Sequence, residues 1–136
     1  MEQIYYVEND ENDVFLLKRA LQKVGLRDAI RHFFSGVAFK QAVKEIADLP
    51  RLFLFDLKLD GESGLDLLKW VKEQEGLTMV PAVIFSSGTV PQEMVESMSL
   101  NANAYMFKPA GGETWREVAE QIALIAGLLE LNDRSS

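Results

Sequence analysis

Five short apolar runs recur along the chain, and a longer stretch with helical spacing of apolar residues follows each of them. The runs are IYYV (4–7), IRHFF (30–34), LFLF (52–55), AVIF (82–85) and AYMF (104–107). Runs such as LFLF are apolar at every position, which is typical of parallel strands covered on both faces. Strands that alternate with helices form βαβ units with right-handed crossovers. The sequence therefore predicts an α/β fold with a doubly wound, five-stranded parallel sheet.

Five helices are expected, over about 13–24, 37–47, 65–74, 91–100 and 115–129. Gly25 follows the first as a stop signal, and Pro91 suits the first turn of the fourth, where an N–H is not needed. The last has the clearest apolar stripe. A chain of 136 residues suits a single domain. We expect residues 1–131 to form that domain and residues 132–136 to form a short tail.

Composition excludes several classes of protein. Cys is absent, so a disulfide framework and a thiolate site are excluded. The chain lacks the run of about 20 apolar residues that a membrane span needs, and its start lacks the pattern of a signal peptide. The net charge of −7 argues against direct binding to nucleic acid. We therefore expect a cytoplasmic protein that contacts neither nucleic acid nor membrane.

Polar residues follow four of the predicted strands directly. These are Glu8 and Asn9 after the first, Asp56 after the third, Ser86 after the fourth and Lys108 after the fifth. In an open parallel sheet, ligands bind outside the carboxyl ends of the strands, where the strand order reverses. If the order is 2-1-3-4-5, these side chains converge on one crevice.

Each of these residues also has an ordinary structural interpretation. An Asp after a strand is commonly a turn or capping residue, and Ser86 and Lys108 are compatible with plain loops. The segment ENDEND (8–13) also resembles an acidic helix start, with Asn12 or Asp13 as its cap. A match at four strand ends favours a common site over four separate coincidences.

The chemistry available to such a set is phosphoryl transfer. Carboxylate and amide oxygens suit Mg²⁺, and a carboxylate beside the cation can act as a nucleophile toward phosphorus. An ammonium and a hydroxyl then stabilise the phosphoryl oxygens. Asp56, Lys108 and Ser86 fit these three roles.

The chain resembles the receiver domains of two-component response regulators over nearly its whole length. The matching segments are YYVENDENDVFLLKRAL (5–21), LFLFDLKLDGESGLDLLKWV (52–71), PAVIFSS (81–87) and NAYMFKP (103–109). The resemblance implies a flavodoxin-like fold and a phosphoryl group received on Asp56 from a histidine kinase or a phosphotransfer protein. It also implies Mg²⁺ held by Glu8, Asn9, Asp56 and the backbone carbonyl of Lys58.

The same resemblance implies a switch and an output surface. Ser86 and Tyr105 match the two switch positions of the family, and Lys108 matches its lysine, which a cis bond to Pro109 usually follows. Phosphorylation would reshape the surface of helix 4, strand 5 and helix 5, where an unknown downstream partner would bind. A second apolar stripe at Leu124, Leu128 and Leu131 suggests a homodimer through this surface.

The sequence departs from the family pattern at Asn9, where a second acidic residue is usual. Asp60 also replaces a common proline, and Ala110 stands where Phe often follows Lys-Pro. The missing carboxylate leaves a second function open, a pseudo-receiver that binds proteins independently of phosphorylation. A hydrolase with an Asp nucleophile is disfavoured, because it needs a second carboxylate at the position of Lys58.

Overall fold

A computed structural model of the protein describes residues 2–88, 91–109 and 114–130. Its main sheet contains the strands β1 (Ile4–Val7), β2 (Ile30–Phe33), β3 (Leu52–Asp56), β4 (Ala82–Ser86) and β5 (Ala104–Phe107). All neighbours are parallel, and the order is β2-β1-β3-β4-β5. The predicted order is thus confirmed, with the reversal between β1 and β3.

The helices are α1 (Glu11–Lys23), α2 (Gly36–Val43), α3 (Gly64–Glu73), α4 (Pro91–Ser99) and α5 (Trp115–Ile125). Helix α2 ends earlier than predicted, and Ile46 packs against the core from the turn that follows. Ile46 is partly buried without a longer helix, so the apolar spacing predicted the wrong end for α2.

Helix α5 also ends earlier than the apolar stripe predicted. Gly127 adopts a left-handed backbone conformation (φ 74°) just after it, and the Leu128 amide donates to the Ala123 carbonyl at 2.8 Å. The chain turns there, and Leu128 packs partly against the core. The predicted second stripe is therefore wrong as a helical surface, and its last member, Leu131, lies outside the described residues, as do Ala110 and residues 132–136.

The sheet is buried on both faces because successive residues of each strand enter opposite core layers. Tyr5 and Val7 pack in the layer that α2 and α3 cover. Ile4 and Tyr6 pack in the layer that α1 and α5 cover. This arrangement confirms the doubly wound fold and leaves the carboxyl ends of the strands as an open edge.

A small antiparallel hairpin follows β3 and was not predicted. Residues Lys58–Leu59 pair with Glu62–Ser63 around a turn of Asp60 and Gly61, and Gly61 has a φ of 77°. The Asp-Gly pair is a strong hairpin signal, so the sequence contained the information. Asp60 thus serves the turn where the family often has proline.

The described residues contain no cis peptide bond, so the cis bond expected between Lys108 and Pro109 is not found. No helix in the described part of the chain has the length and apolarity that crossing a membrane requires.

Candidate functional site

A cavity of about 450 Å³ lies at the carboxyl ends of the strands, between α1 and the start of α5. Its lining includes every residue expected from the sequence to hold a cation or a phosphoryl group: Glu8, Asn9, Asp56, Lys58, Ser86 and Lys108. Further lining residues are Asp10, Asp13, Leu16, Ser87, Pro109 and Trp115. The open edge of the sheet therefore brings the predicted strand-end residues together.

Lys108 is the centre of the charge network in this cavity. Its Nζ lies 2.9 Å from Glu8 Oε1, 2.7 Å from Asp13 Oδ2 and 3.2 Å from Asp56 Oδ1. Burial alone would lower the pKa of Lys108, but the hydrogen bonds to Asp13 and Glu8 and the charge of Asp56 outweigh it and raise the pKa. The ammonium is therefore a fixed positive charge at the end of the sheet.

Asp13 is a site residue that the sequence interpretation missed. The acidic segment predicts Asp13 at the start of a helix, with Asp13 itself or Asn12 as the cap. The cap is instead Asp10, whose carboxylate accepts the amides of Asn12 at 2.9 Å and Asp13 at 3.3 Å. Helix α1 therefore begins at Glu11, and its first turn points the Asp13 carboxylate at Lys108. The sequence did contain a signal for this contact. The acidic segment lies next to the predicted site, and a helix that begins there places its first turn against the cavity.

Glu8 is fully buried, and its carboxylate is held from several sides. The Tyr6 hydroxyl donates to Oε1 at 2.6 Å, and the Asp10 amide donates to Oε2 at 3.3 Å. Burial raises the pKa of Glu8, although the hydrogen bonds from Tyr6 and Lys108 oppose this effect. Burial and the Glu8 charge also raise the pKa of Tyr6, so that its phenol stays a hydrogen-bond donor. Sequence reasoning missed Tyr6 because it occupies a strand position that any apolar residue could fill.

The single histidine of the chain, His32, supports the backbone at Glu8. The Nε2 of His32, on the edge strand β2, lies 2.6 Å from the Glu8 carbonyl oxygen, and the carbonyl can only accept, so the ring donates. The His32 ring also packs edge-on against Phe34, with 4.3 Å between centroids. His32 therefore fixes the loop that carries Asn9.

Asp56 ends β3 and is largely buried. Its backbone is closely covered by the first residue of α3: a Cβ on Gly64 would lie only 2.3 Å from the Asp56 carbonyl oxygen. The Gly64 amide donates to the Leu57 carbonyl at 2.8 Å. A glycine is required there so that α3 can approach the strand end and fix Asp56.

Of the two predicted switch residues, Ser86 lines the cavity and Tyr105 does not, and neither forms a hydrogen bond with Asp56 in the described part of the chain. The buried Ser86 hydroxyl donates to the Gly88 carbonyl at 2.8 Å and accepts the Gly88 amide at 3.2 Å. Tyr105 is half-buried on β5, with its ring 5.4 Å from that of Phe107. Its hydroxyl is buried and has no hydrogen-bond partner in the described part of the chain.

The oxygen donors of the cavity fit Mg²⁺, although they form no all-carboxylate cage. In the described ranges, no group of three or more His, Cys, Asp or Glu side chains forms a ready metal site. Glu8 and Asp56 nevertheless face one cationic position, because a single ammonium contacts both. Asn9 and Lys58 border the same space, and Mg²⁺ needs few protein ligands because it keeps several waters.

A doubly wound sheet with a buried Asp, a buried Glu and a Lys at its carboxyl edge is the arrangement of a receiver domain. The chain belongs to the response regulator receiver domain family, whose sequence model matches residues 4–120.

Similar proteins agree with this assignment. The probable methanogenesis regulatory protein FilR2 of Methanothrix harundinacea is 27% identical over 123 residues, which are 88% of this chain and 79% of FilR2. The two-component response regulator ARR16 of Arabidopsis thaliana is 34% identical over 91 residues, and the match spans 67% of this chain but only 51% of ARR16. The crystal structure of the Mn²⁺-bound response regulator Rcp1 superposes with a TM-score of 0.79 at 20% identity, over 90% of this chain and 92% of that one. That likeness shows the fold.

Proposed function

We propose that the protein is a phosphoacceptor switch, in which Asp56 receives a phosphoryl group from a histidine kinase or a phosphotransfer protein in the cytoplasm. The observation that carries the proposal is the contact of Lys108 with both Asp56 and Glu8, at 3.2 Å and 2.9 Å. An ammonium beside the acceptor carboxylate can neutralise the oxygens of an incoming phosphoryl group.

In the proposed transfer, an Asp56 carboxylate oxygen attacks the phosphorus of a phosphohistidine. A P–O bond forms while the P–N bond breaks, and the departing imidazole nitrogen keeps the electron pair. Lys108 donates hydrogen bonds to the phosphoryl oxygens. Ser86 would turn its hydroxyl from Gly88 toward the same oxygens.

Glu8, Asn9, Asp56 and the backbone carbonyl of Lys58 would hold a divalent cation. Mg²⁺ bound there would offset the negative charge that develops on the phosphoryl group. The Mn²⁺-bound form of the related Rcp1 supports this part of the proposal. The chain would be a signalling protein and not an enzyme with turnover on a free substrate.

The output surface in this proposal is formed by α4, β5 and α5. Val95 and Met98 of α4 are 70% and 52% exposed, and Phe107 at the end of β5 is 36% exposed. Tyr105 lies on the same strand, so a change in its position would reach this surface. The downstream partner would bind there, and a homodimer through the same surface is a second use of it.

The test is mass spectrometry after incubation with a small acyl-phosphate donor and Mg²⁺. We expect a mass increase of one phosphoryl group that disappears in Asp56→Ala and in the presence of EDTA. Absence of labelling at millimolar Mg²⁺ would favour the alternative function, a pseudo-receiver that binds partners without phosphorylation. Asn9 supports this alternative, because a neutral side chain stands where the family usually has a charged metal ligand.

A further inference from the structure

We propose that Asp13 is a positioning residue for Lys108. Asp13 keeps the Lys108 ammonium in the cavity when Glu8 and Asp56 take up a divalent cation. This inference rests on the phosphoacceptor function proposed above. Asp13 is a carboxylate outside the expected set of ligands.

The geometry separates Asp13 from the other two partners of Lys108. Its contact is the shortest of the three, at 2.7 Å. Asp13 comes from the first turn of α1, whereas Glu8 and Asp56 come from the strand ends of β1 and β3. The side chains of Asp13 and Lys108 are 18% and 10% exposed, so water screens this pair only weakly.

A cation bound by Glu8 and Asp56 would compete with Lys108 for these carboxylates. The ammonium contacts Oε1 of Glu8 and Oδ1 of Asp56, and two positive charges at one position repel each other. The contact with Asp13 is the only one of the three that the cation does not need. With Asp13 present, Lys108 can give up the other two and remain beside Asp56.

Asp13 also changes the charge balance of the cavity. The three carboxylates that Lys108 contacts and the one ammonium sum to a net charge of −2, while Asn9 contributes none. Asp13 thus supplies a third carboxylate beside Lys108, in a cavity where the expected second acidic ligand is missing. The negative potential that attracts a cation is retained although the inner ligand is neutral.

The test observes the Lys108 ammonium directly by ¹⁵N-edited NMR, with the signal assigned by its loss in Lys108→Met. An ammonium gives a sharp signal only while hydrogen bonds slow its exchange with water. We expect the wild-type signal both without metal and at an Mg²⁺ concentration shown to be saturating by calorimetry. We expect Asp13→Asn to keep the signal without metal and to lose it with Mg²⁺.

Asp10→Asn is the matched control. It removes an equal charge from the cavity lining, preserves a good N-cap and leaves Lys108 with all of its partners, so its signal should persist in both states. Asp13→Glu should restore the signal at least in part. A signal that survives Mg²⁺ in Asp13→Asn, or that disappears in the wild type, overturns the inference, as does the lack of any Mg²⁺ binding.

Labelling kinetics separate this inference from the proposed function. At saturating Mg²⁺ and acyl phosphate, Asp13→Asn should lower the maximal labelling rate about tenfold, and Asp10→Asn should change it less than about twofold. Equal rates in the two variants overturn the role of Asp13 in transfer. Absence of labelling in the wild type, together with the expected NMR pattern, contradicts the phosphoacceptor function and leaves the positioning of Lys108 by Asp13 intact.

Discussion

The Nζ atom of Lys108 lies 3.2 Å from Oδ1 of Asp56. Asp56 is the last residue of β3 and Lys108 follows β5. Because β4 separates these two strands in the sheet, the lysine has to reach across one strand to make this contact. The ammonium lies between the carboxylates that would hold a metal ion in the proposed function. Binding of that ion would therefore be a balance between an internal cation and an external one.

This balance predicts the effect of removing the lysine. Lys108→Met should raise Mg²⁺ affinity about tenfold or more. The reason is that a positive charge a few ångströms from the site disfavours cation binding by up to several kcal/mol. Isothermal titration calorimetry measures the change. Lys58→Met is the control, since Lys58 borders the same cavity but is exposed and makes no ion pair among the described residues. An unchanged affinity in Lys108→Met would show that the ammonium does not compete.

The neutral side chain of Asn9, a proposed metal ligand, predicts a second change in Mg²⁺ affinity. Asn9→Asp should raise Mg²⁺ affinity by about tenfold to a hundredfold, because it adds a charge next to the buried Glu8. Trp115 lines the cavity, so tryptophan fluorescence offers a readout of the titration. Asn12→Asp adds the same charge in the first turn of α1 outside the cavity lining and should change the affinity much less. Equal effects of both variants would mean that Asn9 acts only through net charge.

The close approach of α3 to β3 predicts that Gly64 is essential for placing Asp56. Gly64→Ala should lower the free energy of unfolding by about 1–3 kcal/mol, since the new methyl group overlaps the Asp56 carbonyl oxygen. Urea denaturation measures this loss, and labelling of Asp56 should become slower. Gly88→Ala, at a glycine whose added Cβ meets no atom within 4 Å, should leave stability nearly unchanged. A stable, normally labelled Gly64→Ala protein would contradict the packing argument.

The buried hydrogen bond from Tyr6 to Glu8 predicts both a stability loss and a pH dependence. Tyr6→Phe should cost about 1.5–3 kcal/mol near pH 7, because a buried carboxylate loses a donor. The pKa of Tyr6 is raised from its ordinary value of 10.0, so only the unfolded chain releases this proton near pH 10. The contribution is therefore complete below pH 10 and is lost as the pH rises further.

Urea denaturation between pH 7 and pH 11 tests this sign. The stability difference between wild type and Tyr6→Phe should stay constant up to about pH 9 and shrink above pH 10. Tyr5→Phe serves as a control for the loss of a phenol on the other face of β1. A difference that grows with pH would show that the Tyr6 phenol ionises readily in the folded protein.

The amino-acid pattern predicted the five strands and the polar residues at their ends. These depend on local information, because apolar runs define the strands and parallel strands end at one edge. The convergence of Glu8, Asp56, Ser86 and Lys108 required in addition the strand order, which the resemblance to receiver domains supplied. Helix ends were predicted less well. Val43 and Ile125 end their helices although apolar spacing continues, because Ile46 and Leu128 become partly buried from turns.

The start of α1 was the error with the largest consequence. Placing the cap at Asn12 or Asp13 instead of Asp10 changes which side chains face the cavity, since each residue turns a helix by about 100°. The contact between Asp13 and Lys108 was hidden for this reason. The role of Tyr6 was missed for a different reason: a buried strand position gives no sign that its side chain has a polar partner.

The sequence by itself determined the architecture and the residues at the carboxyl edge of the sheet, because hydrophobic period and strand position are local properties of the chain. The tertiary structure alone decided which acidic groups meet the Lys108 ammonium. A long, flexible side chain selects its partners by distance and burial, and these follow only from where α1 begins and where the fold places the end of β5. Asp13 contacts Lys108 across 95 positions of the chain because the fold brings the first turn of α1 to the end of β5.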